Sequence, residues 1–533
     1  MSLPEANTAW PPPELAAVTA RVQESHVWWE GDPTKLSAFY GSERGLTSPS
    51  GIKARTRAAV DAFWGRTPTP AGQSPKRYHA PIAGVIAKLS ATELFNEAVK
   101  FLDAGKNKDV QAHIDRIFNI PRFHSSLLEA AESCSALSGN FQRVVWDTEI
   151  ADHAWIDFVD ADRAIPEFRW GRLVAVTFWS ELAGGDDREV WRHLERHEPG
   201  YIVHAVYQGT ASNLGKMMAL ADHPATAGIT VDGADERRGS WVATGVKDLT
   251  AAYVPNVTPN PEWRHDPKLK NLGRADISTD LIPTYHELDR IYSSLVRDFR
   301  LGAGKVHASE SVLTNLGMGQ GLAFSEEQEI YSRVGSGIGP DGNMESIFEF
   351  FQPTIRVLEH NQGADTLLRE VLRKTGYSPV SLGLSDEVVQ TATEAIGKKD
   401  LTVKTTGAKA RHWGSALAPL STTALRVDAH LFRHPAPTEE LELEWPQFAR
   451  EPDEAKARTV QAWETAKAAS TKTKVGYLHP DWDDKKVQEE ADLIDKANTI
   501  TVPDFSGGFG GDQPPLPNED GPAPDPEAVN GGE

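Results

Sequence analysis

The sequence predicts an α+β chain, and three observations carry that expectation. Between Phe141 and Tyr207, short runs rich in Val, Ile, Trp and Phe are separated by turn residues, the signature of an antiparallel meander. Two segments, Leu281 to Arg300 and Ile355 to Thr375, each carry a single apolar stripe at three- and four-residue spacing, which predicts amphipathic helices. Between them lie nine glycines (Gly302, Gly304, Gly317, Gly319, Gly321, Gly335, Gly337, Gly339 and Gly342), a density that no helix interior tolerates, so strands and loops are expected there.

The opening quarter reads as mainly helical. Pro11, Pro12 and Pro13 precede a helix over Glu14 to Val27, with Leu15, Val18 and Val22 at helical spacing and proline placed where its missing N–H costs nothing. A Gly/Pro-rich stretch from Gly65 to Pro75 follows, then helices over Pro81 to Phe95 and His124 to Leu137, the second with Leu127, Leu128, Ala131 and Leu137 on one side. The meander then takes in Val144 and Trp146, Ile156 and Phe158, Leu173 to Trp179, Val190 to His197 and Tyr201 to Tyr207. Its turns include Gly184-Gly185-Asp186-Asp187 and Glu198-Pro199-Gly200, and Trp241 to Val246 and Ala252 to Val254 add strands at its edge.

In the first amphipathic helix the stripe is Tyr285, Leu288, Tyr292, Leu295 and Phe299; in the second it includes Leu358, Ala364, Leu367, Leu368 and Val371, with Gly376 at the C-terminal cap. Tyr377 to Asp386 reads as a loop. Glu387 to Phe432 is helical but interrupted by Gly397, Gly407 and Gly414, which predicts a kinked helix or two joined helices. Leu441 to Trp445 alternates like a strand, and Glu454 to Ala469 and Lys485 to Ala497 read as surface helices. From Thr501 onward there is no Lys or Arg but seven acidic residues and fourteen Pro or Gly, a composition too poor in apolar groups to order a backbone.

A length of 533 residues suggests three or four structural units, or one elongated subunit of several parts. Lys+Arg 55 against Asp+Glu 76 leaves a net charge of −21, which argues against tight nucleic-acid binding by phosphate neutralisation but is compatible with sliding contact. Cys134 is the only cysteine, so no intrachain disulfide or thiolate zinc site is available, as in a protein of a reducing cytosol. No signal-like start and no apolar run of about 18–20 residues is present, so a soluble chain with no membrane partner is expected.

Motifs for catalysis are absent or weak. None of Gly105-Lys106, Gly215-Lys216, Gly304-Lys305 and Gly397-Lys398 continues into the Ser or Thr of a phosphate-cradling loop, which excludes a Walker-type ATPase. Gly317-Met318-Gly319-Gln320-Gly321 lacks the strand-before, helix-after context of a dinucleotide loop and reads as a glycine-rich turn. His193, Glu195 and His197 would project from one face of a strand, as metal ligands or equally as solvent-facing positions. Asp157, Asp160 and Asp162 fit a strand end and acidic turn better than a Mg²⁺ cluster. Cys134 sits among Ala130, Ala131 and Leu137 as a buried thiol. No nucleophile elbow occurs, and neither a cofactor, a metal nor a catalytic residue is expected. The one local basic excess is Lys398, Lys399, Lys404, Lys409 and Arg411 against Asp400, either a solvated helix face or a ring of basic residues beside a polyanion.

An ordered set of motifs resembles the portal proteins of tailed bacteriophages, of the long-tailed type found in phages of Gram-positive and actinobacterial hosts. The set comprises Trp28-Trp29-Glu30-Gly31-Asp32-Pro33 with Leu36, Phe39 and Tyr40, and Arg77-Tyr78-His79-Ala80-Pro81-Ile82-Ala83. Next come Trp146-Asp147, Pro166-Glu167-Phe168-Arg169-Trp170-Gly171, and Trp191 to His197. The helix Asp289 to Arg300, Gly376-Tyr377-Ser378-Pro379, Thr391-Ala392-Thr393-Glu394 and His479-Pro480-Asp481-Trp482 complete it, covering most of residues 14 to 497 in family order. No single motif is specific; their order is.

The resemblance implies a portal-like subunit with an α/β wing, a two-helix stem, a small β/loop clip and a helical crown, in a ring of twelve with a central channel. On this chain it implies a wing at 1–280, stem helices at 281–300 and 354–376, and a clip at 301–353. A tunnel loop at 377–387, a kinked long helix with a returning wing strand at 388–452, a crown at 453–500 and an acidic tail at 501–533 follow. Tyr377, Ser378, Pro379, Ser381, Lys398, Lys399 and Lys404 would line the DNA channel, and Tyr285, Leu288, Tyr292, Leu295, Phe299, Leu367, Leu368 and Val371 would pack the stem. The implied partners are other copies of the chain, the large terminase subunit, a head-completion or adaptor protein, the major capsid and scaffolding proteins, and double-stranded DNA passing non-specifically. The implied location is the capsid portal vertex, and the host cytoplasm during assembly. The rival readings are a metal-dependent nuclease or hydrolase, and another head–tail adaptor or minor capsid protein.

Overall fold

The computed structural model describes residues 3–36, 78–186, 189–235, 239–301, 305–308, 314–315, 322–323, 348–351, 355–384, 392–446, 453–479 and 482–498. The chain mixes helix and sheet and divides into two compact units, residues 1–450 and 451–533. The Gly/Pro stretch at 65–75, most of the glycine-rich segment and the tail from Thr501 lie outside the described residues.

Among the described residues, the α-helices of the first unit are α1 (Ala16–Glu30), α2 (Ile82–Phe95), α3 (Lys108–Ile117), α4 (Pro121–Leu137), the single turn α5 (Pro224–Ala227), α6 (Ile282–Leu301), α7 (Val357–Thr375) and α8 (Ala392–Phe432). Helix α4 begins at Pro121, three residues before the expected His124, and Gly376 ends α7 in the left-handed conformation, φ 82°. Helix α3 is an addition to the sequence reading. Its signals were present: the Asn107 side chain accepts from the Asp109 N–H at 2.9 Å, and Val110, His113, Ile114 and Ile117 form a buried face at helical spacing.

Strands β1 (Lys100–Leu102), β2 (Gly139–Val145), β3 (Trp155–Asp160), β4 (Ala164–Arg169), β5 (Arg172–Asp186), β6 (Glu189–Glu198), β7 (Tyr201–Thr210), β8 (Asn213–Met218), β9 (Gly233–Asp235), β10 (Gly239–Ala243) and β11 (Ala251–Pro255) make up the β-rich part. The meander is antiparallel throughout, in the order β4-β5-β6-β7-β10-β9 with β8 also on β7. Ala252 to Val254 does not join its edge. That strand pairs with β2 in a separate three-stranded sheet, β11-β2-β3, because Tyr253 and Phe141 lie in register and stack at 4.5 Å.

In the glycine-rich segment the described pairs are β12 (Lys305–Ala308) with β15 (Phe348–Phe351) and β13 (Thr314–Asn315) with β14 (Leu322–Ala323). Strand β16 (Glu442–Glu444) returns to pair with β1, as the alternation of 441–445 predicts. In the second unit α9 (Asp453–Ala466) and α11 (Asp484–Asn498) match the expected surface helices. The short α10 (Thr471–Leu478) lies between them, and Val475, Val487 and Ala491 form a small core with Trp482 and Ile494.

Two large apolar clusters organise the first unit, and α2 and α4 contribute to both. One joins Phe95, Phe101, Ile114, Leu127 and Val144 to Trp413, Leu417 and Leu420 of α8. The other joins Trp28, Ile86 and Leu137 to Tyr285 and Leu288 of α6 and Val371 and Leu372 of α7. Helices α6 and α7 run antiparallel: Asp298 near the end of α6 meets His360 near the start of α7 at 3.0 Å, with Ile291 opposite Gly363 between them. Of the two expected forms, a kinked helix or two joined helices, α8 is one 41-residue element with Pro419 in its interior. Each helix-interior glycine costs only about 1 kcal/mol relative to alanine. Burial of Trp413, Leu417, Leu420 and Leu425 offsets that, and Gly414 packs beside the Trp445 indole.

Candidate functional site at the junction of the helix pair and the long helix

The root of the helix pair gathers residues from three distant motifs. Trp28 of α1 is fully buried, with its ring 5.7 Å from Tyr285, 5.0 Å from His286 and 5.8 Å from His79. The Asp289 carboxylate takes the His79 Nδ1 at 2.9 Å and the Ala80 N–H at 2.8 Å, so the start of α2 is fastened to α6 by charge-assisted contacts within an aromatic shell. Tyr285 and Leu288 are buried here, Tyr292, Leu295, Leu367 and Leu368 are partly buried, and Phe299 is 51% exposed. The expected stem stripe is thus anchored at its base and bare towards its far end.

Behind this root lies a buried polar knot. Lys409 of α8 donates to Ser90 of α2 at 2.7 Å and pairs with Asp276, whose Oδ2 also accepts from Ser135 of α4 at 2.6 Å. The Lys409 ammonium sits 5.6 Å from the Tyr377 ring centroid. Burial lowers the lysine pKa, but Asp276 more than offsets this and leaves it above its ordinary value. Lys409 therefore belongs to the core and not to a basic face, which corrects its grouping with Lys398, Lys399, Lys404 and Arg411.

The segment expected as a free loop after α7 is held down instead. Tyr377 and Ser378 are buried, Pro379–Leu382 forms a 3₁₀ turn, and the Thr402 hydroxyl accepts the Ser378 N–H at 2.8 Å and lies 2.9 Å from Ser381 Oγ. Thr405 donates to the Gly376 carbonyl at 2.6 Å, and a Cβ at Gly376 would fall 2.5 Å from that hydroxyl, so both φ and space require glycine. Tyr377 and Ser378 consequently face the core, while Pro379 and Ser381 are partly exposed. Lys404 is 70% exposed and pairs with Asp400 at 2.5 Å, and Lys399 lies 3.7 Å from Glu93. Lys398 is within α8, and its side chain lies outside the described residues.

His193, Glu195 and His197 share one face of β6; His197 is buried, His193 and Glu195 are half-buried, and each is engaged by a neighbouring side chain. That face packs towards β2 and β3: Glu195 accepts from His197 Nε2 at 2.6 Å and Arg143 Nη1 at 3.0 Å, and His197 Nδ1 lies 2.8 Å from Thr250 Oγ1. His193 Nε2 is 3.2 Å from His204 Nδ1. Burial opposes ionisation of Glu195, yet His197 and Arg143 overcome it and hold its pKa below the usual carboxylate range. Burial lowers His193 and pulls His204 down to about 4. A cleft of about 470 Å³ opens beside Arg143, Asp157, His193 and Glu195, where Asp157 is paired with Arg143 at 2.8 Å. Asp162 lies in the turn after β3, with its pKa raised by burial. Cys134 is buried, donates to the Val254 carbonyl at 3.7 Å and is pushed up to about 12 by burial, as befits a structural thiol.

Fold and junction together define an α+β chain in which an antiparallel helix pair, with paired strands between its two helices in sequence, is rooted among the helices and sheets of the first unit. No family model matches the chain, and no curated protein matches it. Among solved structures it is similar to a chain in the virion of a native gene transfer agent particle, at 12% identity and TM-score 0.41, over 75% of this chain and 89% of that one. It is also similar to chains in the neck of an empty gene transfer agent particle computed with C6 symmetry (11% identity, TM-score 0.37, 74% and 89% of the two chains) and in the neck of the native particle computed with C12 symmetry (12%, 0.36, 75% and 89%).

Replacing Lys409 with Met leaves Asp276 buried without its cation and is expected to cost about 3–5 kcal/mol, whereas Lys404→Met on the exposed pair changes stability by about 0.5 kcal/mol or less. Denaturant midpoints of the two variants check this contrast. His204 has a folded pKa of about 4 against an ordinary 6.5. A depressed folded value means that its contribution to stability is present above pH 6.5 and is lost as pH falls towards 4. Thermal unfolding across that range should show a loss that His204→Gln reduces.

Proposed function

We propose that this chain is a portal subunit of a tailed bacteriophage. Copies form a ring, of twelve subunits by the family resemblance, at one capsid vertex, giving a conduit for DNA packaging and ejection and a platform for head–tail attachment. The observation that carries the reading is the helix pair: α6 and α7 pack antiparallel, enclose paired strands, and leave Val296, Phe299 and Leu358 exposed at the end away from the root. A monomer gains nothing from apolar groups there, but a head-to-tail interface that closes into a ring buries them against the neighbouring copies. The motifs of the resemblance agree with it: Trp28, His79 and Asp289, widely separated in sequence, meet at the root of this pair.

The ring has no catalytic role of its own; a separate terminase supplies the motor, which accords with the lack of a phosphate-cradling loop. Twelve copies sum to about −250 charges before counterions, so the wall on average repels DNA and lets it slide. Lys399 and Lys404, each beside a carboxylate, offer only weak and transient phosphate contacts. The large terminase subunit and an adaptor protein would meet the strands between α6 and α7, capsid and scaffolding proteins the wing. The particle vertex is the site of action, reached from the host cytoplasm.

Electron microscopy of purified full-length protein, with its mass measured in solution, is expected to show rings of about twelve subunits with an open axis. Phe299→Asp and Leu295→Asp should prevent ring formation while circular dichroism of the subunit remains unchanged. A chain that stays monomeric across salt and concentration in the presence of capsid and scaffolding proteins, or normal rings from both variants, would refute the reading.

A further inference from the structure

Outside the junction, one cluster brings two imidazoles and a carboxylate to a single point. His113 comes from α3, Asp428 from near the end of α8, and His434 from just beyond that helix, after Arg433 turns the chain at φ 65°. His113 Nε2 lies 2.8 Å and His434 Nδ1 2.7 Å from the same oxygen, Asp428 Oδ2, and the ring centroids are 4.6 Å apart. The other oxygen, Oδ1, accepts the Ala154 N–H at 2.7 Å, which fixes the carboxylate in the orientation that presents Oδ2 to both rings. Asp428 and His113 are buried, and Arg116, a nearby cation, is occupied by Asp152. Among the described residues this is the group of three or more His, Cys, Asp or Glu whose ligand atoms converge, all within 4.8 Å of one another.

We propose that His113, Asp428 and His434 form a binding site for a divalent transition-metal ion of the zinc class, with its remaining position open to water on the side where the His434 side chain is 26% exposed. Bonds of about 2.0–2.1 Å at angles between square and tetrahedral separate neighbouring ligand atoms by about 2.9–3.4 Å, so each imidazole nitrogen needs to draw back from Asp428 Oδ2 by only a few tenths of an ångström, and the two nitrogens, within 4.8 Å of each other, settle towards the same spacing. Two imidazoles with one carboxylate and no thiolate select zinc, cobalt or nickel over magnesium or calcium. When the metal binds, the lone pairs of His113 Nε2 and His434 Nδ1 turn to it, and each neutral ring keeps its proton on its other nitrogen. The ion would then clamp the C-terminal end of α8 and the turn after it to α3, stabilising the folded chain by preferential binding. This inference concerns the fold of the subunit and stands independently of the portal reading.

The test uses tag-free, full-length protein stripped with EDTA and titrated with Co²⁺ and Zn²⁺. One Co²⁺ per chain with a visible ligand-field absorption band, one Zn²⁺ per chain by calorimetry, and a rise in unfolding temperature with either metal are expected. His434→Ala, at the accessible edge, should fold as the wild type without metal and lose all three signals. Asp428→Asn, which keeps the acceptor for Ala154, should also lose them. Wild-type protein that takes up neither ion, or His434→Ala protein with unchanged stoichiometry and unchanged thermal shift, would overturn the proposal.

Discussion

The arrangement of the first unit depends on the burial of one ammonium group. Lys409 can lie in the core only if Asp276 lies beside it and the remaining donors and acceptors are met, and Ser90, Ser135 and the Tyr377 ring supply those contacts. These residues belong to α2, α4, the segment before α6, the turn after α7, and α8, so one charge fixes where five parts of the chain meet. Such a pair adds little net stability over a well-packed apolar core, because desolvation consumes most of the attraction. Its effect here is on register: an apolar junction could slide by a turn of α8, whereas Lys409 has a single carboxylate to reach.

From that constraint follows the placement of the helix pair. Asp289 fastens α6 to the start of α2, Thr402 and Thr405 fasten the turn after α7 to α8, and both fastenings lie at the same end of the pair. The opposite end carries Phe299 and Leu358, the latter 74% exposed, so the pair is fixed at its root and apolar at its tip. The proposed ring depends on this geometry, a helix pair held at one end and apolar at the other.

Much of this was legible in the sequence wherever periodicity decides structure. The stripes of α6 and α7, the Gly376 cap and the meander strands follow from spacing and turn residues alone. What the sequence hid was pairing over long distances. In the basic stretch from 398 to 411 nothing local distinguishes Lys409, whose carboxylate lies 133 residues away, from Lys404, whose carboxylate is on the preceding turn. Tyr377 looked like part of a loop because Gly376, Pro379 and Gly383 surround it, yet the hydroxyls that hold it down belong to α8. The glycines of α8 left a kinked helix and two joined helices open because the apolar burial that supports one continuous helix comes from other elements. His193, Glu195 and His197 left a ligand set and a solvent-facing row equally open because Arg143 of β2 and Thr250 just before β11, which engage them, are distant in sequence.

The most direct test of the knot is amide hydrogen exchange, followed by mass spectrometry, in the wild type and Lys409→Met. If the buried charge ties these segments together, removing it should reduce protection at the Ser378 turn, at the 133–137 end of α4 and around Asp276 in parallel, with similar opening free energies. Loss of protection confined to α8, with the Ser378 turn and the Asp276 segment exchanging as in the wild type, would contradict the account.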